Sequence, residues 1–147
     1  MQVSTTNGGT MELIGKAGAF VHFQALSSKL NPQFLFCPAD RSKSPAVAWS
    51  PSFGNENLSY FVDLDAREGA ATNILAGDRD LALDGAPMTP GLLMLSSDSP
   101  AGWSGQIHGR FGNLAFADGS VQAYLDAGKL RQAFQNTGVA TNRLVLP

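Results

Sequence analysis

The sequence has little charge and no long apolar run. Charged residues make up 15% of its 147 residues, whereas an average soluble domain has about 25%. Ten Lys and Arg residues against twelve Asp and Glu residues give a net charge of −2. This balance argues against a nucleic-acid partner, because nucleic-acid-binding proteins normally carry a basic patch. No apolar run approaches the ~18 residues that a membrane-spanning helix needs.

Cysteine is represented by Cys37 alone. A single thiol excludes an internal disulfide scaffold and a zinc site built from several cysteines. The chain also lacks a glycine-rich phosphate loop and a metalloprotease histidine pair, which weighs against several common enzyme classes. Hydrophobic residues nevertheless reach 44%, which indicates a folded domain. The length predicts one domain over residues 1–147, with the polar residues 1–12 as a loosely ordered lead-in.

The first half of the chain predicts one helix and one short strand. Phe20, Phe23, Leu26 (or Ser27) and Leu30 recur at three- and four-residue spacing and predict an amphipathic helix over residues 16–30. Pro32 would end it, since a proline disfavours helix at the preceding residue. The apolar run at residues 34–37 predicts a strand.

The rest of the chain predicts strands separated by turns. Apolar runs predict strands at residues 59–64, 73–77, 92–95 and 143–146. Asp84-Gly85 is a turn signal, and Asp118-Gly119 predicts a two-residue hairpin turn because both residues tolerate positive φ.

A short helix is predicted after the hairpin. Asp126 is suited to cap its start, Gly138 to end it, and Leu130, Ala133 and Phe134 form its apolar face. Strands follow strands without helical crossovers, so the pattern predicts an α+β fold with a mainly antiparallel sheet.

The chain has two histidines, which limits the acid–base chemistry that imidazole groups can supply. His22 lies within the predicted first helix and is interpreted as a covered helix residue. His108 lies in a glycine-rich segment, where it is either a ligand or base or a hydrogen-bond donor that orients the hairpin; the structural role is favoured. A Ser104, His108 and Asp118 triad has only residue types in its favour, since Gly102–Gly105 lacks the nucleophile-elbow spacing.

Four acidic residues form two pairs at i, i+2 spacing, namely Asp63 with Asp65 and Asp78 with Asp80. In a strand, both carboxylates of a pair would lie on one face, and calcium prefers several oxygen ligands of this kind. The calcium loop of helix–loop–helix proteins is absent. Ion pairs with the neighbouring Arg67 and Arg79 are the more common alternative for such carboxylates.

Two short motifs resemble a known family. His108 is followed, after nine residues, by Asp118-Gly119, and residues 36–40 contain a Cys-Pro-x-Asp element formed by Cys37, Pro38 and Asp40. Both resemble the prepilin-type His-x9-Asp-Gly family of type IV pilin-like and type II secretion pseudopilin-like proteins. Residues 59–61 and 74–79 are similar to its central strands, so the resemblance covers about residues 34–125.

The resemblance implies a pilin-like head domain with a structural rather than an enzymatic role. It implies a filament subunit of a pilus-like or secretion-related assembly, with other pilin-like subunits as partners, in the cell envelope outside the cytoplasmic membrane. Family members are anchored by a long apolar N-terminal helix. Residues 1–147 contain no long apolar run of this kind, so the expectation is a head without its stalk, which would be its only link to a membrane.

The family motif residues are expected to be structural. Asp118-Gly119 would close the hairpin, and His108 would reach back to the hairpin backbone. Major pseudopilins bind calcium, which favours Asp63, Asp65, Asp78 and Asp80 as calcium ligands without matching any of them individually; otherwise no cofactor is expected.

Two other function classes stay open. The first is an extracellular ligand- or calcium-binding module in which Trp49 and Trp103 would be stacking platforms, although core packing is the more usual role of tryptophan. The second is a hydrolase using His108 and an aspartate, which is the least favoured.

Overall fold

A computed structural model of the chain describes residues 3–15, 18–67 and 69–147. Within them, the helices are α1 (Phe20–Gln24) and α2 (Ala127–Asn136). The strands are β1 (Tyr60–Asp63), β2 (Ile74–Asp78), β3 (Leu81–Leu83), β4 (Ala86–Pro87), β5 (Gly91–Ser96), β6 (Ala101–Trp103), β7 (Gly112–Phe116), β8 (Val121–Tyr124) and β9 (Thr141–Leu146). Short 3₁₀ helices occupy Thr5–Asn7, Met11–Leu13, Pro32–Leu35 and Asn55–Asn57.

The strands form two antiparallel sheets. The large sheet has the order β5-β9-β1-β2-β7-β8, and the small sheet has the order β4-β3-β6. All recorded strand pairs are antiparallel. The chain crosses from the large sheet to the small one between Asp78 and Leu81, so the residues there can interact with both sheets.

Each face of the large sheet covers its own hydrophobic core. Side chains alternate along a strand, so Phe61 points into one core and Val62 into the other. The first core lies between the large sheet, α2 and the small sheet, with Phe134 of α2 among its buried residues. The second lies between the opposite face and the N-terminal part of the chain, which contributes Phe23 and Leu35.

The predicted α+β fold with an amphipathic N-terminal helix is wrong. The structure is a β-rich fold of nine strands in two sheets, and its longest helix within the described residues is the ten-residue α2. Within the range predicted to be helical, residues 16–30, the α-helix is the five-residue α1. Lys16 lies outside the described residues. Ala19 provides no side-chain cap for α1, and so short a helix has little stability of its own.

The strand predicted at residues 34–37 is also wrong. Pro32–Leu35 forms a 3₁₀ helix whose first turn is capped by Asn31, since Asn31 Oδ1 accepts a hydrogen bond from the Gln33 amide at 3.0 Å. Phe34 is 72% exposed. Asn31-Pro32 therefore starts a helical turn here instead of only ending one, which is consistent with the tolerance of proline at the first helical position.

The two turn signals lead to two different turns. Asp84 and Gly85 both have positive φ, 50° and 78°, and join the paired residues Leu83 and Ala86 in a two-residue turn. In the β7–β8 hairpin only Gly119 has positive φ, at 84°. Its amide donates to the Phe116 carbonyl at 2.9 Å, so the loop spans residues 117–119. The predicted hairpin is confirmed, but its two-residue turn is wrong.

The end of the chain follows the predicted pattern. Asp126 caps α2 by accepting a hydrogen bond from the Lys129 amide at 2.8 Å. The predicted apolar face of α2 is buried against the large sheet, and β9 lies between β5 and β1.

Gly77 of β2 is required by the close packing of the first core. A Cβ atom at this position would lie 2.5 Å from Leu114 Cδ2 and 2.7 Å from Phe61 Cε1, and both neighbours are fully buried. We expect Gly77→Ala to lower the free energy of unfolding by roughly 1 to 3 kcal/mol through overpacking, measured by urea denaturation. Gly102→Ala is the matched strand control, because its Cβ would meet only Ala127 Cβ at 3.4 Å. Equal stability of the two variants would contradict this account.

Candidate functional site

Three consecutive charged residues, Asp78, Arg79 and Asp80, lie where the chain passes from β2 to β3. Both aspartates are buried. Buried charges are stable only when they are paired or well hydrogen-bonded. Each of the three side chains has a different set of partners, and together these partners come from three separate parts of the sequence.

Arg79 pairs with Asp40 of the Cys-Pro-x-Asp element. Its Nε lies 2.7 Å from Asp40 Oδ2 and its Nη2 lies 2.7 Å from Oδ1, so the ion pair is bidentate. Ser42 donates its amide and hydroxyl to Oδ1 at 3.2 and 2.9 Å. Burial alone would raise the pKa of Asp40, but the hydrogen bonds from Arg79 and Ser42 lower it overall. Asp40 is therefore held as a carboxylate.

Asp80 binds the segment that precedes His108. Its Oδ1 accepts hydrogen bonds from the Ser104 hydroxyl and, at 3.0 Å, from the Gln106 amide. Its Oδ2 accepts from the Ile107 amide at 3.0 Å. One buried carboxylate thus fixes the backbone of residues 104–107 and sets the position of His108.

Asp78 and Cys37 flank the imidazole of His108. Its Nε2 lies 3.4 Å from Cys37 Sγ and 3.7 Å from Asp78 Oδ2, and its ring stacks on Phe111 with centroids 5.4 Å apart. Asp78 Oδ2 also accepts from the Asn113 amide at 2.7 Å and from its Nδ2 at 3.0 Å. Burial raises the pKa of Asp78 in spite of these bonds.

The tertiary structure brings together three of the six family motif residues, namely Cys37, Asp40 and His108. Pro38 is exposed in the turn between Cys37 and Asp40, where the Asp40 amide donates to the Cys37 carbonyl at 2.9 Å. Proline suits the second position of such a turn.

Asp118 and Gly119 lie apart from this cluster, at the exposed tip of the β7–β8 hairpin, where Asp118 Oδ1 accepts from the Ser120 amide at 2.9 Å. The structure records no hydrogen bond between His108 and residues 117–119. Its recorded partners are Cys37 and Asp78.

The residues of the conceivable hydrolase triad are occupied by other partners. Ser104 donates to Asp80, Asp118 accepts from Ser120, and His108 contacts Cys37 and Asp78. No two of Ser104, His108 and Asp118 share a recorded hydrogen bond.

The four calcium candidates also have separate partners. Asp63 accepts from the Asp65 amide at 2.8 Å, and Asp65 forms an ion pair with Arg143, whose Nη2 lies 2.6 Å from Oδ1. Asp78 and Asp80 bind the residues described above. Among the described residues, no group of three or more His, Cys, Asp or Glu side chains is arranged to hold a metal ion.

Arg67 and Arg79, which neighbour these carboxylates in the sequence, form no recorded ion pair with them. Arg79 binds Asp40, and Arg67 donates its amide to Asn73 Oδ1 at 3.1 Å. Glu68, which follows Arg67 in the sequence, lies outside the described residues.

His22 and the two tryptophans are engaged in packing. His22 is buried in α1, with Nδ1 2.8 Å from Thr10 Oγ1, and burial lowers its pKa. Trp49 donates to the Leu30 carbonyl at 2.7 Å and packs on Phe53. Trp103 donates to the Tyr124 carbonyl at 2.9 Å. Neither indole lines the cleft described next.

An apolar cleft of about 450 Å³ opens beside the Cys37–His108 pair. Its walls are Tyr60, Ala76, Ala115 and Val121 of the large sheet, and Phe23 and Leu35 of the N-terminal part. Its polar end is formed by Cys37, Asp78, His108 and Asn113. Sequence reasoning did not find this cleft, because its walls come from strands and turns far apart in the chain.

Comparison of the chain with protein-family models, curated proteins and solved structures gives no match. The resemblance to the His-x9-Asp-Gly family therefore rests on the motif residues themselves. In the part of the chain that the structure describes, no helix has the length and apolar character to cross a membrane.

Loss of Arg79 should destabilise the fold strongly. Arg79→Ala leaves the carboxylate of Asp40 buried without its cation, and removing one partner of a buried ion pair costs about 3 kcal/mol or more. We expect this loss in urea denaturation. The exposed Arg41 serves as the control, since Arg41→Ala should change stability by less than ~0.5 kcal/mol. If both variants unfolded alike, the Arg79–Asp40 pair would not be a main support of this region.

Asp63 should make the protein less stable as the pH rises. Burial raises the pKa of Asp63 to about 7 from its ordinary value of 3.8, so the folded state holds a proton that the unfolded state has lost. The contribution of protonated Asp63 to the free energy of unfolding is complete below pH 4 and is lost as the pH rises through 7.

Asp63→Asn should therefore be more stable than the parent at pH 8, by roughly 2 to 4 kcal/mol, with a smaller difference at pH 5. Urea denaturation across this range measures the difference, with the exposed Asp98→Asn as control. If the difference in stability between Asp63→Asn and the parent were the same at pH 5 and pH 8, the raised pKa of Asp63 would be refuted.

Proposed function

We propose that this chain is a structural, pilin-like subunit that assembles with copies of itself or with related subunits. The observation that carries the proposal is how the family motif residues are used. Asp40 is neutralised by Arg79, and Cys37 and His108 contact each other beside Asp78. These groups support the positions of surrounding segments, which is the role that a structural subunit requires of them.

The outer edge of β5 supports self-assembly. β5 is the first strand of the large sheet and pairs only with β9. Its sequence, Gly-Leu-Leu-Met-Leu-Ser, has neither charge nor proline, the features by which natural proteins usually protect a free edge. Leu92 and Met94 are 46% and 60% exposed. The same strand of a second copy fits this edge, because two such strands complement each other in hydrogen bonding and carry no like charges.

The other edge of the sheet is less available for pairing. It is formed by the four-residue β8, and the Tyr124 carbonyl at its end already accepts a hydrogen bond from Trp103. We therefore place the first contact between subunits at β5.

The family resemblance supports the setting of this assembly. It favours a role without catalysis in a pilus-like or secretion-related filament, outside the cytoplasmic membrane in the cell envelope, with pilin-like partners and no nucleic acid. A calcium-binding role is the weaker alternative, because the four candidate carboxylates bind separate partners. An increase in melting temperature on adding calcium would favour that alternative.

Charges placed on β5 should prevent self-association. We expect the parent chain to form dimers or larger species as its concentration rises, and Leu92→Lys/Met94→Lys to remain monomeric, because lysines on an edge strand oppose pairing. Sedimentation velocity over a hundredfold range of concentration measures this. Phe34→Lys/Val47→Lys is the control, since it adds the same charge at two apolar positions that are more exposed than Leu92 and Met94.

A parent chain that is monomeric at every concentration would contradict assembly through this edge. Equal loss of association in the control variant would show that net charge, and not β5, decides it.

A further inference from the structure

The apolar cleft beside His108 has an acceptor that the protein leaves open. All recorded contacts of the Asp78 side chain go to Oδ2, from the Asn113 amide and Nδ2 and from His108. None of the described residues donates a hydrogen bond to Oδ1. Asp78 is only 1% exposed, and it lines the cleft. Oδ1 is not among the fully buried atoms that lack a hydrogen-bond partner, so it is accessible from the cleft, and a donor in the cleft can bind it.

The walls and the size of the cleft restrict the body of any ligand that carries this donor group. Tyr60 and Phe23 provide aromatic walls, and Ala76, Ala115 and Val121 provide aliphatic ones. The volume of about 450 Å³ lies in the range of small-molecule sites. Among the described residues that line the cleft, Asp78 carries a carboxylate and none is a lysine or arginine.

We propose that this cleft binds a small organic amine, with the ammonium group donating to Asp78 Oδ1 and the apolar body lying against Tyr60 and Phe23. The ammonium is a donor and carries the charge opposite to that of the carboxylate. A carboxylate head group would instead face Asp78 with like charge, and a hydroxyl would satisfy the hydrogen bond without the charge. The site is independent of the β5 edge.

A bound amine would change the ionisation of Asp78. Its pKa is raised chiefly because burial removes the carboxylate from water. A bound cation would offset part of that penalty, since a nearby opposite charge favours the ionised form.

Cys37 provides a reporter for occupancy, because it is the only cysteine of the chain and it lines the cleft. We would measure the rate at which iodoacetamide alkylates Cys37 in the presence of hexylamine, hexan-1-ol or hexanoate, with dissociation constants from calorimetry. These probes share one apolar body and differ in their head groups. We expect hexylamine to bind about tenfold more tightly than hexan-1-ol, hexanoate to bind most weakly, and alkylation to slow with occupancy.

Variants test the two parts of the proposal. Asp78→Asn should reduce the preference for the amine over the alcohol to less than about threefold, whereas the exposed Asp98→Asn should leave it unchanged. Ala115→Phe should weaken all three probes by filling the cleft. If Asp78→Asn does not fold, the ranking of the probes on the parent protein still tests the charge preference.

Equal binding of the amine and the alcohol to the parent protein would overturn the proposal, and so would the absence of binding by any probe. If Cys37 is instead protected increasingly as the protein concentration rises, with no effect of the probes, a second copy covers the cleft and the proposal is also wrong.

Discussion

The placement of three charged residues between two sheets is the constraint on which the rest of the structure depends. Asp78, Arg79 and Asp80 follow the buried part of β2, and the burial of both aspartates requires each to find partners. Arg79 holds Asp40, Asp80 holds residues 104–107, and Asp78 holds Asn113 beside His108. One tripeptide therefore fixes the turn that carries Cys37 and the loop that carries His108, and the cleft between them follows from their positions.

The same network shows which polar groups are already paired inside the protein and which can still bind a partner. Asp40, Asp80 and Arg79 are engaged inside the protein. Groups that still have capacity to bind include the backbone edge of β5, with Leu92 and Met94, and Asp78 Oδ1 at the end of the apolar cleft. We propose another strand for the first, because this edge lacks a neighbouring strand. For the second we propose the ammonium of a small organic amine, because no described residue donates to Asp78 Oδ1.

Several elements could be predicted because their signals are local. β1, β2, β5 and β9 come from apolar runs bounded by turn residues, and Asp126 caps α2 through an amide three residues away. The helix predicted over residues 16–30 failed because its periodicity had no cap to start it and because Leu26 stays half exposed. The strand predicted at residues 34–37 failed because Asn31 and Pro32 favour a helical turn.

By itself, the sequence determined the antiparallel hairpin of β7 and β8, the C-terminal helix and the motif residues, since each depends on neighbours within a few positions. Only the tertiary structure decided that the fold is β-rich and that Cys37, Asp40 and His108 meet around Asp78, Arg79 and Asp80. These contacts join residues 39 and 71 positions apart. Residue order does not record such pairings, because they arise from how two sheets pack and from the need of buried charges for partners.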